Sequence, residues 1–377
     1  MATQEAAAAT SRVDGWFRKY IGRDTSPNQE VIKIRALYRR FIKRTPSRAE
    51  VSYWLRRLSE SNLLIVRYEI ATSREAGKAL RLNPKALLLE DQHYVTKDDP
   101  NYLTKLAQKR YLFACDPKMY QMPTLLGAQV VGPWISRTTF DLTAKPTVQG
   151  SVSHPVLGEV KGTFSIGTTG KRRFFHGNGI PIPKVLTGIF PVKTTDPAYQ
   201  YDPNPNGFEM QTVSFFLPRH PKIAAKGPYC TYKEMGITLD GVPITSPFDP
   251  KGRNEVAYEV QDLCNGTTQP GGLYHRHGLP YCYPHAYKNN ALVGYAFDGF
   301  GIYSPFDENG IELTSDDLDE CHGKTSWVIW EGKRRYMYHY VATRDFPYTV
   351  GCFRGTPVWD ALPPLPGAPP TPHSPAQ

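Results

Sequence analysis

Two short stretches carry the side chains most able to do chemistry: Tyr274-His275-Arg276-His277 and Tyr338-His339-Tyr340-Val341. Both are rich in aromatics and read as strand. On a strand, residues i and i+2 project the same way. His275 and His277 therefore face one side together, and His339 comes from the twin strand. A His-x-His pair plus a third histidine is the ligand set of a catalytic zinc with one open position, which makes hydroxide near neutral pH. Neutral imidazoles also suit copper, which would make the site a redox centre. His176, His285 and His322 are second-choice ligands. Asp298 or Asp319 fits an outer carboxylate that orients a ring. Tyr274, Tyr338, Tyr340 and Asp298 are the catalytic candidates, as pocket-lining groups with radical or acid–base roles. The competing reading of all these residues is structural: packed, hydrogen-bonded histidines and turn-capping aspartates.

The elements that position them are written twice. Residues 240–252 (DGVPITSPFDPKG) align with 298–310 (DGFGIYSPFDENG), identical at eight of thirteen positions. Unrelated segments of average composition share about one. Asp262-x-Cys264-x-Gly266 mirrors Asp319-x-Cys321-x-Gly323, and Pro280-Tyr281 with Cys282 mirrors Pro347-Tyr348 with Cys352. A shorter echo, His176 to Ile182, precedes both. Asp-Gly and Pro-Phe-Asp are turn formers. The expected body is mainly β: a pseudo-symmetric duplicated β sandwich or barrel-like body, with repeats at 240–282 and 298–352. Strand-like runs include Gln129–Trp134, Gln211–Leu217 and Trp327–Trp330.

Cysteines at these spacings in a Gly- and Pro-rich body suit disulfides of an oxidising compartment. Pairing within each repeat gives Cys264–Cys282 and Cys321–Cys352, leaving Cys115 and Cys230 for each other. Pairing across the repeats is the rival, since four cysteines allow three connectivities. The spacings match no thiolate zinc motif. Asn265-Gly266-Thr267 is a glycosylation sequon. The acidic run Ser315–Glu320, with Asp307 and Gly310, has the composition of a calcium loop but no defined loop pattern.

The charge lies elsewhere. Residues 1–85 hold 18 Lys/Arg and 8 Asp/Glu and so account for the net +10, while the remaining 27 and 27 cancel. An anionic surface or polysaccharide would meet residues 1–85; nucleic acid ranks below these. Residues 29–82 read as helices. Val31, Ile34, Tyr38, Phe41 and Ile42 keep helical spacing, and Ser47 with Glu50 forms a capping-box pattern before Val51, Trp54, Leu55 and Leu58. The expected layout is an arm (1–28), a small all-α basic module (29–82), a connector (83–125), a β domain (126–362) and a disordered tail (363–377) with seven prolines. No stretch approaches the ~20 apolar residues of a membrane helix. The first ten residues lack the pattern of a signal peptide.

Two family resemblances follow. Leu37, Tyr38, Arg39, Arg44, Pro46, Tyr53, Trp54, Ser73 and Glu75 resemble a short helical domain of unknown function found on exported bacterial surface proteins; Lys43 replaces that family's Gly. Residues 126–358 resemble the YHYH-domain family, named for a Tyr-His-Tyr-His motif, most clearly through LVGYAFDGFGIYSPFDENG, LDECHGK and YMYHYVATRDFPYTVGCFRGTP. That resemblance implies export and carries no general activity. Its histidines invite a metal at His275, His277 and His339. The second motif ends in Val341 where His would complete it, so a four-His site is broken here and a three-His site survives. Two function classes result: an exported copper- or zinc-dependent oxidoreductase or hydrolase, or a non-catalytic cell-surface module binding glycan or protein. An extracellular, cell-surface or periplasmic location fits both.

Overall fold

The computed structural model describes residues 29–60, 66, 70, 75, 102–116, 130–135, 140, 144–149, 161–182, 187–262, 264–278, 280, 286, 288–359 and 361. The arm 1–28, the Pro-rich tail, Cys282 and His285 lie outside the described residues. The chain divides into two compact units, Met1–Leu88 with Phe306–Glu312, and Leu89–Pro305 with Leu313–Gln377.

The smaller unit contains the helices expected from the apolar spacing. α1 (Gln29–Leu37) runs into one π turn (Tyr38–Ile42), and α2 spans Arg48–Glu60. Val31, Ile34, Leu37 and Tyr38 are buried on one face. Ser47 and Glu50 close the capping box reciprocally: Glu50 N–H donates to Ser47 Oγ at 3.3 Å, and Ser47 N–H donates to Glu50 Oε2 at 2.7 Å. Trp54 Nε1 donates to Tyr38 Oη at 2.8 Å, which satisfies both polar tips in the core. Arg44 bridges Glu50 and Glu75. Tyr53, unlike Tyr38 and Trp54, is 47% exposed.

The larger unit is mainly β and its sheets are open. β3 (Phe164–Thr169), β4 (Arg172–Gly177) and β5 (Val213–Pro218) form an antiparallel three-stranded sheet. The eight-stranded sheet is built from β6 (Glu234–Thr238), β7 (Pro243–Thr245), β8 (Gly266–Thr268), β9 (Tyr274–Arg276), β10 (Leu292–Ala296), β11 (Gly301–Tyr303), β12 (Gly323–Trp330) and β13 (Lys333–Val341). Its order is β12-β13-β11-β10-β6-β7-β9-β8. Among the described residues the sheets are not closed, and the expected duplicated sandwich or barrel-like body is not shown. The short helix α3 (Glu255–Tyr258) sits between β7 and β8, capped by the Asn254 side chain.

The two written-twice segments make the same local bonds. Gly241 and Gly299 take left-handed φ values of 83° and 92°, as the Asp-Gly turns require. Asp249 Oδ1 accepts Lys251 N–H and Arg253 N–H, and Asp307 Oδ1 accepts Asn309 N–H and Ile311 N–H. Across the seam between β6 and β10, Leu239 N–H donates to Val293 O and Phe297 N–H to Met235 O. Outward from that seam each side runs through a parallel pair (β7–β9 or β11–β13) to an antiparallel edge hairpin.

Phe175, Phe215, Ile237, Tyr295, Ile302 and Phe353 belong to one core. Residues 102–116 are more than a connector. They pair β1 (Tyr102–Leu103) with β2 (Leu112–Phe113) in parallel and place Leu112 and Ala114 in that core. Residues 130–134 are bend and turn, not strand, with Val130 and Val131 half exposed. Cys115–Cys230 and Cys321–Cys352 are disulfides, and Cys264 is also disulfide-bonded. No described helix is long and apolar enough to cross a membrane.

Candidate functional site

The Tyr-His strands first pin the fold. Tyr274 Oη donates to Asp262 at 2.8 Å, and Tyr338 Oη to Asp319 at 3.1 Å. Each aspartate also accepts two backbone N–H groups of its own Asp-x-Cys-x-Gly loop. His275 and His339 each place Nδ1 3.2 Å from the carbonyl two residues back, Leu273 O and Met337 O. The third motif residue reaches the Asp-Gly turn. Arg276 makes two 2.8 Å bonds to Asp240, and Tyr340 Oη donates to Asp298 at 2.6 Å. Burial holds the Tyr274, Tyr338 and Tyr340 phenols well above their usual range. All three tyrosines and Asp298 are buried, and each phenol is hydrogen-bonded to an aspartate.

The structure brings His275 and His277 together and leaves His339 apart. The first two rings lie 4.7 Å apart, centroid to centroid. His339 is on β13 and packs edge-on against Tyr303 at 5.0 Å. β9 and β13 are five strand spacings apart in the sheet. At about 4.8 Å per spacing that is roughly 24 Å, far beyond a shared coordination sphere. The three-His centre is therefore corrected. Among the described residues no three His, Cys, Asp or Glu side chains are grouped to hold a metal ion. His176 is exposed on β4. His322 is a buried turn residue at φ 69°, with Nε2 2.8 Å from Thr343 Oγ1. The calcium reading fails for a similar reason. Asp316 pairs with Arg110, Glu320 with Arg354, and Asp317 caps its own turn. Asn265 of the sequon is buried.

What remains is a polar cluster beside the last histidine of the first segment. His277 Nδ1 is hydrogen-bonded to Ser246 O, which assigns the proton to Nδ1 and leaves the Nε2 lone pair 3.5 Å from Glu255 Oε1. Glu255 Oε1 accepts Gln261 Nε2–H at 2.8 Å, while Oε2 is buried without a hydrogen-bond partner. Lys145 Nζ donates to Val256 O at 2.6 Å and to Gln261 Oε1. Asp202 accepts Val260 N–H at 3.0 Å. Burial pushes the Glu255 carboxyl up to about 8 and the Lys145 ammonium down to about 8. Glu259 is raised well above its usual value, first by burial and then by Asp202 and Glu255. Asp202 is raised by burial. His275 falls to about 3 and His277 well below its usual value, both chiefly by burial, so both rings are neutral near pH 7.

The second segment fills the same place with hydrocarbon. The repeat aligns Glu255 with Leu313, Val260 with Leu318 and His277 with Val341. Glu255 N–H donates to Pro247 O as Leu313 N–H donates to Pro305 O, so the alignment holds in three dimensions. Leu313, Leu318 and Val341 form a small apolar cluster of their own. The fold therefore does not require ionisable groups at this position. Asking which polar residues of one copy face apolar residues of the other would have found Glu255 from sequence. Lys145 lies outside both copies and gave no such signal.

An open-sheet protein with a buried acid–base cluster in one of two like segments is the class that fold and site define. A family model described as YHYH protein matches residues 214–311. The match takes in β5 from Ser214, the whole first segment and the opening of the second. It is narrower than 126–358 and does not reach the helical module, whose resemblance stays an expectation. No curated protein and no solved structure matches the chain.

Proposed function

We propose that this is an exported protein whose first segment holds an acid–base centre, with Glu255 as proton donor and His277 Nε2 as proton acceptor. In this reading the two segments are pseudo-symmetric halves of one sheet, and only the first has kept or gained chemistry. The observation that carries it is the exchange of Glu255 and His277 for Leu313 and Val341 at equivalent positions. A carboxyl and an imidazole with displaced pKa values in mutual reach are the usual material of general acid–base catalysis. Burial first, then the charges of Asp249 and Asp202, keeps Glu255 protonated near neutrality against the opposing pull of the Gln261 hydrogen bond and the Lys145 ammonium. The disulfides support the oxidising compartment.

The test writes the apolar solution of the second segment into the first. The double variant E255L/H277V should fold and be as stable as wild type or up to about 4 kcal/mol more stable, since buried ionic groups are often replaced without loss. Turnover found by screening chromogenic esters and glycosides should fall about 10²- to 10⁴-fold in E255Q. An infrared band of a protonated carboxyl should titrate near pH 8 in wild type and vanish in E255Q. Destabilisation of the double variant would instead make the cluster structural. Stoichiometric metal in purified wild type, absent from H277V, would replace proton chemistry with metal chemistry.

A further inference from the structure

The edge hairpin β12–β13 exposes more apolar surface than a free sheet edge should. Trp327 is 42% exposed, Ile329 55% and Tyr336 63%. The register sets Trp327 opposite Tyr336 and Ile329 opposite Arg334, so all four side chains share one face. The two rings lie 5.4 Å apart at 62°, and the Arg334 guanidinium sits 4.5 Å over Trp327. Asn290 Nδ2 donates to Trp327 O at 2.6 Å and holds the strand beneath the ring. Lysine and arginine on an edge strand protect it from pairing with another chain. A solvated Trp–Tyr–Ile stripe does the reverse, so edge protection explains the cations and not the aromatics.

The charge of this hairpin indicates the partner. Between Gly323 and Val341 there are four cations, Lys324, Lys333, Arg334 and Arg335, and one acid, Glu331. Glu331 is already held by Arg173 and Arg219, both at 2.8 Å. Lys333, Arg334 and Arg335 are exposed around the tip. Aromatic rings with planar cations at their rim match a polymer whose units have an apolar C–H face and a carboxylate. Disulfides suit an oxidising compartment, where such polymers are polysaccharides.

We propose that the Trp327–Tyr336 face of the β12–β13 hairpin binds an acidic, uronate-containing polysaccharide. The rings stack on sugar faces, and Arg334, flanked by Lys333 and Arg335, pairs with the carboxylates. The proposal is independent of the acid–base centre, which lies in the other segment.

The test is titration calorimetry of the full chain with polygalacturonate oligomers, against neutral glucan oligomers and single-stranded DNA. Saturable binding of the uronate oligomer should weaken about tenfold in W327A and in Y336A, the size expected for one lost stacking contact. It should weaken with added salt in wild type and much less so in K333A/R334A/R335A. Exposed positions should leave the circular dichroism spectrum unchanged. No binding by wild type, full binding by W327A, or DNA binding as tight as the uronate's would overturn the assignment. Dimerisation in wild type that W327A/Y336A abolishes would give the face to a second copy instead.

Discussion

Replacing Asp240 by Ala should cost about 3–5 kcal/mol in chemical denaturation, whereas Asp298→Ala at the equivalent turn should cost about 1–3 kcal/mol. The difference lies in what each carboxylate leaves behind. Arg276 is fully buried, and both of its terminal nitrogens bond Asp240. Burial opposes ionisation of Asp240, but the guanidinium outweighs it and holds the carboxyl below its usual range. Without Asp240 a buried cation has lost its counterion. Without Asp298 the losses are neutral donors: Tyr340 Oη, Phe300 N–H and Gly355 N–H. R276Y copies the second segment's solution, a phenol on the turn aspartate, and should recover most of the loss seen in R276A. Equal costs for D240A and D298A, or no advantage of R276Y over R276A, would show that the pair is not what holds the turn.

Local features were legible in the sequence because their physics is local. The Asp-Gly turns, the Ser47–Glu50 box and the Tyr-His strands depend on residues within a few positions of one another. The pairs Cys115–Cys230 and Cys321–Cys352 followed from arithmetic on the repeat. The three-His centre misled because one of its two steps is not local. That His275 and His277 share a face is strand geometry, and it holds. That His339 joins them is a statement about strand order. With β6 and β10 at the seam, the two Tyr-His strands are carried toward opposite ends of the sheet. Sequence alternation does not encode that order. Residues 102–116 escaped notice because two-residue strands leave no periodic signal, and their partners, Thr231 and Gly351, lie more than a hundred residues away. The clue at Val341 was sound but pointed past itself. The missing histidine marks a place where the second segment is apolar throughout, so the chemistry belongs to what surrounds His277 in the first.

Stability should peak near pH 6.5 and fall on both sides, by about 3 kcal/mol per pH unit on the alkaline limb and by at most about that on the acid limb. On the acid side, burial depresses His275 and His322 to about 3, His339 to about 4 and His277 well below its usual value. A group whose pKa is lower in the folded state contributes stability above its unfolded value, which is lost as the pH drops. Between about pH 6 and 5 the unfolded chain binds these four protons and the folded chain refuses them. Glu255, raised to about 8, and Glu259, raised well above its usual value, work in the opposite sense. They hold two protons in the folded state that the unfolded chain has released. Burial also raises the carboxyls of Asp202, Glu234, Asp262, Asp298 and Asp319, which act in the same sense, so at most about two net protons remain, at about 1.4 kcal/mol per proton per unit. Below about pH 4.5 the unfolded carboxyls are protonated as well, their offset disappears, and the acid limb steepens. On the alkaline side the histidines no longer count. Glu255 and Glu259 stay protonated only when folded, so stability falls from about pH 6.5 until Glu255 ionises near 8. Urea unfolding at half-unit intervals measures the profile. E255Q should roughly halve the alkaline slope and steepen the acid limb by about one proton. A flat profile between pH 4.5 and 8, or an alkaline limb unchanged in E255Q, would show that Glu255 is not the protonated acid of the cluster.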